Sequence, residues 1–140
     1  VTGADVIMRW QTGYPFGITF NRGYPRFNPG EFSTVDVLVR GDCDAAFIIG
    51  ADPGATMPQP AIEHLKRIPT ICLDPHITHT SKLARVHITT APQGIAAAGT
   101  AYRMDEIPMP LKPALKSPYP SDEEVVRRIN DQISSNNFPD

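Results

Sequence analysis

Two short segments carry the residue types from which a ligand site could be built: Gly-Ala-Asp-Pro-Gly at 50–54 and Asp-Pro-His-Ile-Thr-His-Thr at 74–80. In the first, Gly50 and Gly54 permit a positive φ or a close backbone approach, and Pro53 stiffens the bend between them. Asp52 and Asp74 are acceptors suited to ribose hydroxyls or to the N1–H and amino group of a guanine ring. Thr78, Thr80 and Ser81 supply hydroxyl donors, and exposed backbone amides in such loops receive phosphate oxygens. A chain without basic excess could hold a pyrophosphate this way, because amide dipoles replace lysines. Two readings stay open on these residues alone: a nucleotide-bearing ligand, or simple turn chemistry.

The other reactive side chains point to less. Asp74, His76 and His79 invite a metal reading, but alternate positions in a loop containing Pro75 do not fix a tetrahedral set. No third nitrogen or sulfur ligand is near in sequence, so no metal is expected here. His64 reads as a helix-surface residue and His87 as a strand residue. The two cysteines, Cys43 and Cys72, lack CxxC spacing; Cys72, inside Thr-Ile-Cys-Leu-Asp, reads as a small core hydrophobe. An iron–sulfur cluster takes four thiolates, which this chain cannot supply alone. No GxSxG elbow, HExxH helix or P-loop occurs. The formal net charge of -2 argues against a general nucleic-acid or membrane surface. Nothing approaches the roughly 18 consecutive apolar residues of a membrane span. No secretory signal pattern is visible, and the expected location is cytoplasmic.

These candidate residues need elements to position them. The chain of 140 residues is long enough for one domain with a real core. Residues 32–140 read as an α/β domain with a mostly parallel sheet and flanking helices. Ser33 caps a short helix over Thr-Val-Asp-Val-Leu-Val-Arg, with Gly41 as its stop. Residues 44–50 read as a strand buried on both faces, and 58–68 as a helix with Ile62, Leu65 and Ile68 near one face. Residues 69–74 form the second buried strand and 86–90 a third, after a short connector containing Ser81 to Ala84. Such strand–helix–strand units have right-handed crossovers, which send the 50–54 and 74–80 loops out from one carboxyl edge. Residues 94–105 read as a loop and 106–113 as a short strand. A final helix over 121–133 opens with a Ser121–Glu124 capping box and carries Val125, Ile129 and Ile133 as its apolar stripe.

Residues 1–31 read as an irregular arm rich in glycine, proline and aromatic residues. Trp10, Tyr14, Phe16, Phe20, Tyr24 and Phe27 make it too hydrophobic for a disordered tail, so packing against another surface is expected. Fifteen prolines, concentrated in 15–29, 53–60 and 108–120, suggest long ordered loops. The opening at Val1, without Met, fits a processed, split or trimmed polypeptide.

With those residues in view, 44–65 followed by 68–105 resembles the molybdopterin oxidoreductase superfamily. That superfamily shows a strand ending in a Gly-x-Asn/Asp-Pro turn, then a strand ending in Asp-Pro-(Arg/His)-x-Thr-x-Thr, and later a Gly-Thr segment. More narrowly, the segments 10–31, opening Trp-Gln-Thr-Gly-Tyr-Pro-Phe-Gly-Ile-Thr-Phe-Asn-Arg-Gly, and 99–111, opening Gly-Thr-Ala-Tyr-Arg-Met-Asp, look like the B-subunit family of formylmethanofuran dehydrogenase. The resemblance covers Val1 to about Leu111. It implies a Rossmann-like cofactor-binding domain of the formate dehydrogenase/DMSO reductase type. It also implies a multi-subunit archaeal complex that reversibly reduces CO2 and forms formylmethanofuran in methanogenesis. In that family a tungsten or molybdenum ion sits between two molybdopterin guanine dinucleotides, fed by iron–sulfur clusters.

Carried over residue by residue, Gly50, Asp52 and Pro53 match the first dinucleotide loop, and Asp74, His76, Thr78 and Thr80 the second, with Asp74 nearest the guanosine. Thr2 and Gly3 match a loop passing close to a pterin dinucleotide; Thr100 and Arg103 match the Gly-Thr segment. Two departures stand out: His76 where much of the superfamily has arginine, and Arg85 where Ala-Asp is usual. By the resemblance, the metal-ligating cysteine or selenocysteine, its histidine and the cluster cysteines belong to the amino-terminal part of such a polypeptide, and an active-site arginine to the stretch before Val1. The implied role is therefore a carboxy-terminal portion that binds cofactor and is not catalytic alone. Its partners would be the amino-terminal part of the same B subunit, the other subunits and polyferredoxin-type electron carriers, with no nucleic acid and no membrane insertion. Arg22 and Arg26 either line the approach of an anionic substrate or form surface salt bridges. The competing readings are a noncatalytic interaction protein and a nucleotide-binding module without metal.

Overall fold

The computed structural model describes residues 3–135, so Thr2 lies outside the described residues. The first element corrects the expectation of an irregular arm: Ala4–Thr12 is a helix, α1. Its ends explain it. The Gly3 amide donates to Asp5 Oδ1 at 3.0 Å, placing an acid in the first turn, and Gly13 closes the helix at φ 85 with its N–H on Arg9 O. Sparse apolar periodicity hid this helix; only Val6 is buried in it.

A two-residue antiparallel pair follows, β1 (Ile18–Thr19) and β2 (Arg26–Phe27). Part of the arm's aromatic content packs on itself or on neighbours: Tyr14 stacks on Phe27 at 4.8 Å, and Trp10 meets Tyr102 edge-on at 5.6 Å. Trp10, Phe16, Phe20 and Tyr24 nonetheless stay exposed. Arg26 lies over the Phe32 ring, 5.0 Å from its centroid.

Helix α2 (Thr34–Arg40) has the expected ends, with the Asp36 amide donating to the Ser33 hydroxyl and Gly41 in the left-handed region. Then come β3 (Ala46–Ile49), the single turn α3 (Pro53–Thr56), α4 (Gln59–Leu65), β4 (Thr70–Leu73), α5 (His79–Leu83) and β5 (Val86–Ile88). These three strands form a parallel sheet in the order β3-β4-β5, in register Phe47–Ile71–Val86 and Ile49–Leu73–Ile88. Leu38, Ala61 and Leu65 form the core cluster, with Cys43, Ala46, Ile48, Met57 and Ile68 packed around it. The core thus lies between α2, α4 and one face of β3. Cys72 is fully buried in β4, and burial pushes its thiol above the ordinary value.

Three expectations need correction. The segment over 81–84, read as a connector, holds the end of α5 and its C-cap Ala84, because a capping box hidden in Thr78-x-x-Ser81 starts that helix. The 94–105 loop holds a strand, β6 (Gly99–Tyr102), which pairs antiparallel with β7 (Pro108–Leu111) as a separate two-stranded sheet. The parallel sheet is therefore small, and the described strands fall into three sheets rather than one. Strand β3 is apolar on both sides but only half-buried on one and exposed on the other; Phe47 and Ile49 are 49% and 42% exposed. The apolar run anticipated a second covering layer that these residues do not provide.

The final helix, α6 (Asp122–Ser135), starts as expected with Ser121 Oγ accepting from the Glu124 amide at 3.2 Å. The reciprocal half of the box is not formed, because the Glu124 carboxylate pairs with Arg128. Val125 is buried, whereas Ile133 lies exposed. Among the described residues no helix is long and apolar enough to cross a membrane.

Candidate functional site

Strands β3 and β4 run parallel, so the loops that follow them leave from the same edge, and the structure ties them together. Asp52 Oδ1 accepts from the Thr80 amide at 2.8 Å and the Thr80 hydroxyl at 2.7 Å, while Oδ2 accepts from the His79 amide at 3.2 Å. The Thr80 hydroxyl in turn accepts from the Gly54 amide at 2.8 Å. Asp52 is thus a cap on α5, supplied from the neighbouring loop, and its carboxylate holds the amides that a phosphate would otherwise meet. Burial, the largest single influence, pushes the Asp52 carboxyl up. The hydrogen bonds from the Thr80 hydroxyl, the Thr80 amide and His79 together outweigh it and hold the group below its ordinary value.

Thr78 is committed in the same way. Its hydroxyl accepts from the Ser81 amide at 3.0 Å, and its own amide donates to Ser81 Oγ at 2.8 Å. Pro53 and Thr80 are buried. Gly54 shows how close the two loops lie: a Cβ there would sit 2.9 Å from Thr80 N and 3.0 Å from His79 C. Of the seven residues expected in the two loops, Asp52, Pro53, Thr78 and Thr80 therefore build the edge rather than line it.

Gly50, Asp74 and His76 remain. Gly50 has φ 59, and a Cβ there would meet nothing within 4 Å, so it borders open space. The Asp74 side chain is 10% exposed. Its Oδ1 accepts from the His76 amide at 2.8 Å, which closes a turn across Pro75. Among the described residues its Oδ2 has no hydrogen-bond donor, leaving one oxygen for a further partner. The His76 imidazole is 79% exposed beside it, with Nδ1 3.7 Å from Asp74 Oδ1. The backbone carbonyl of Asp74 is held by His87 Nε2 at 3.1 Å.

Thr90 is a residue that motif reading missed. It follows β5, at the corresponding end of the third strand, is 1% exposed, and its hydroxyl has no partner among the described residues. The only signal was the Thr-Thr pair closing 86–90, which looked like strand.

A second group gathers at the β6–β7 hairpin. A side chain at Gly3 would approach the Tyr102 ring at 3.4 Å and Thr100 O at 3.8 Å, so the structure does bring Gly3 and Thr100 together. Arg103 pairs with Asp105 at 3.0 Å, and Arg9 of α1 with Glu106 at 2.5 Å. Among the described residues no cluster of three or more His, Cys, Asp or Glu could hold a metal ion. A cavity of about 510 Å³ runs beside β3 and touches this edge only at Ala51, Asp52 and Pro53.

The fold and its paired loops define a mixed α/β domain on a small parallel sheet, with a preassembled carboxyl edge. A solved structure shares that fold at a TM-score of 0.75 and 21% identity, over 97% of this chain and 38% of its counterpart. It is the formyltransferase/hydrolase complex (FhcABCD) from Methylorubrum extorquens in complex with methylofuran. No family model matches the sequence. The B subunit of tungsten-containing formylmethanofuran dehydrogenase 2 from Methanocaldococcus jannaschii is 48% identical over 118 residues, which is 84% of this chain and 27% of that protein. The protein of the same name from Methanococcus maripaludis is 43% identical over 131 residues, 92% of this chain and 30% of the relative. The chain matches a C-terminal part of the B subunit of formylmethanofuran dehydrogenase. It spans under a third of those curated relatives' length.

Proposed function

We propose that this chain is the cofactor-holding carboxy-terminal part of a formylmethanofuran dehydrogenase, in a Rossmann-like domain of the DMSO reductase type. The whole enzyme reversibly reduces CO2 and forms formylmethanofuran. The observation that carries this reading is the 43–48% identity to the tungsten-containing B subunits across most of the chain. The site fits the nucleoside end of molybdopterin guanine dinucleotide. Gly50 leaves room for a flat group against the backbone, the spare Asp74 oxygen could accept from guanine N–H groups, and exposed His76 would be available to the anionic linkage. Asp52 and Thr80 position these residues by locking the two loops, and Gly3 with Thr100 forms a second contact region. The bound group supplies tungsten or molybdenum redox chemistry. This chain's task is to hold the tail, exclude water from the loop pair and fix the distance to the amino-terminal part that ligates the metal. Iron–sulfur clusters and electron carriers of the polyferredoxin type belong to partner segments.

A second reading, a noncatalytic interaction protein without cofactor, is favoured by one fact: Asp52, Thr78 and Thr80 are already engaged in hydrogen bonds within the protein. One experiment separates the two. The complex carrying this chain is purified, and metal and acid-released guanine nucleotide are quantified for wild type and Asp74→Ala. Nucleotide in proportion to tungsten or molybdenum, reduced in the variant, supports the first reading. A pure complex with neither supports the second.

A further inference from the structure

We propose that His87 is a positioning residue: its Nε2–H holds the Asp74 carbonyl and thereby aims the Asp74 carboxylate at the guanine end of the dinucleotide. This rests on the reading that Asp74 accepts from that ring. Asp74 is the first residue beyond β4, and its amide forms the last rung to β5, donating to Ile88 O at 3.3 Å. In a parallel ladder the same residue would next accept from the Thr90 amide. Among the described residues that bond is not made. The donor on the Asp74 carbonyl is instead the His87 ring, with Nε2 at 3.1 Å. A carbonyl only accepts, so Nε2 is the nitrogen that carries the proton.

The strand register puts the ring there. His87 stands opposite Cys72, two residues before Asp74, so its half-buried imidazole lies diagonal to the start of the loop. The peptide it holds has a single hydrogen-bonding group. Residue 75 is proline, and the Asp74–Pro75 link therefore has a C=O but no N–H. The far end of the loop needs no such help. The amides of His79 and Thr80 donate to Asp52, and Thr78 and Ser81 cap each other. His87 ties down the near end, where the turn from Asp74 Oδ1 to the His76 amide begins. With Oδ1 held in that turn, the direction of Oδ2 follows from the backbone at Asp74, which the ring sets. Fixing an acceptor before its ligand arrives removes an ordering cost from binding.

The test uses the purified complex containing this chain, with two readouts. One is residue-resolved amide hydrogen exchange; the other is the rate at which the complex loses bound guanine nucleotide in urea below its unfolding transition. His87→Leu keeps bulk but removes the donor. It should speed exchange at the His76 amide, and nucleotide loss, by about three- to tenfold, the effect of one hydrogen bond. Ile48 should stay within about twofold of wild type, because the sheet is untouched. His87→Gln, which can place an N–H near the Nε2 position, should restore both rates to within about twofold. In Asp74→Ala the carboxylate is gone, so adding His87→Leu should speed nucleotide loss by no more than about twofold further.

A further acceleration of the single-variant size in that double variant would overturn the proposal, since His87 would then act on its own. His76 exchange at the wild-type rate in His87→Leu would overturn it too. So would equal acceleration at His76 and Ile48, which marks a general loss of packing, or failure of His87→Gln to restore either rate. A wild-type complex without guanine nucleotide counts instead against the functional reading, while exchange at His76 still reports whether His87 holds the loop.

Discussion

Removing the Asp52 carboxylate tests whether the carboxyl edge is a built unit or two independent loops. In Asp52→Ala the Thr80 amide and hydroxyl lose their acceptor at 2.8 and 2.7 Å, and the His79 amide loses its own at 3.2 Å. Thr80 is 1% exposed, so water cannot readily replace the first two. Bonds to a charged acceptor contribute roughly 1.5–3 kcal/mol, and the Asp52 side chain is 26% exposed, which lowers the total. A local loss of about 2–3 kcal/mol follows, equivalent to a roughly 30- to 140-fold rise in the opening constant. The assay is amide hydrogen exchange at Thr80 and Gly54, whose N–H groups report the two sides of the tie, with Ile48 as an internal reference. Asp52→Asn keeps an acceptor for Thr80 and should accelerate exchange by about tenfold or less. Exchange at Thr80 unchanged within about threefold in Asp52→Ala would refute the reasoning, because the loops would then be held by something else.

Three further outcomes follow. Gly54→Ala forces a Cβ to 2.9 Å from backbone and should destabilise the protein by about 1–3 kcal/mol in urea unfolding. Gly50→Ala meets no neighbour and costs only about 1–2 kcal/mol for its positive φ, yet it should lose more bound guanine nucleotide than Gly54→Ala does for a given loss of stability. The Asp52 carboxyl is held below its ordinary value of 3.8, so it contributes stability that is complete above that pH and disappears as pH falls through the lower folded value. Unfolding midpoints compared at neutral and strongly acid pH should show this acid loss in wild type, and a smaller one in Asp52→Asn.

Much of this architecture was legible in the residues, and what escaped has identifiable causes. Ser33 and Gly41 marked the ends of α2 because a hydroxyl cap and a left-handed stop leave short-range signals. The apolar runs located β3 and β4, since parallel strands need them. The same runs misjudged burial: Phe47 and Ile49 have the composition of a covered strand, while their cover is not part of this chain's described residues. Helix α1 went unseen because its stability comes from Asp5, Gly13 and contacts such as Trp10 on Tyr102, none of which makes an apolar stripe. Strand β6 depends on pairing with β7, where Pro108 and Pro110 sit, and no local pattern reveals that partner. At the site, residue types located the loops but not the direction of each side chain. Asp52 and Asp74 look equivalent as acids after strands, and only the fold shows that one bridges loops while the other keeps an oxygen spare.

The most direct test of the central claim is an experimental structure of the assembled, metal-loaded complex containing this chain, read at the carboxyl edge of β3 and β4. The account predicts a guanine ring over Gly50 with its N–H groups within about 3 Å of Asp74 Oδ2. An edge that faces bulk water in that complex, with the dinucleotide held elsewhere, would contradict it.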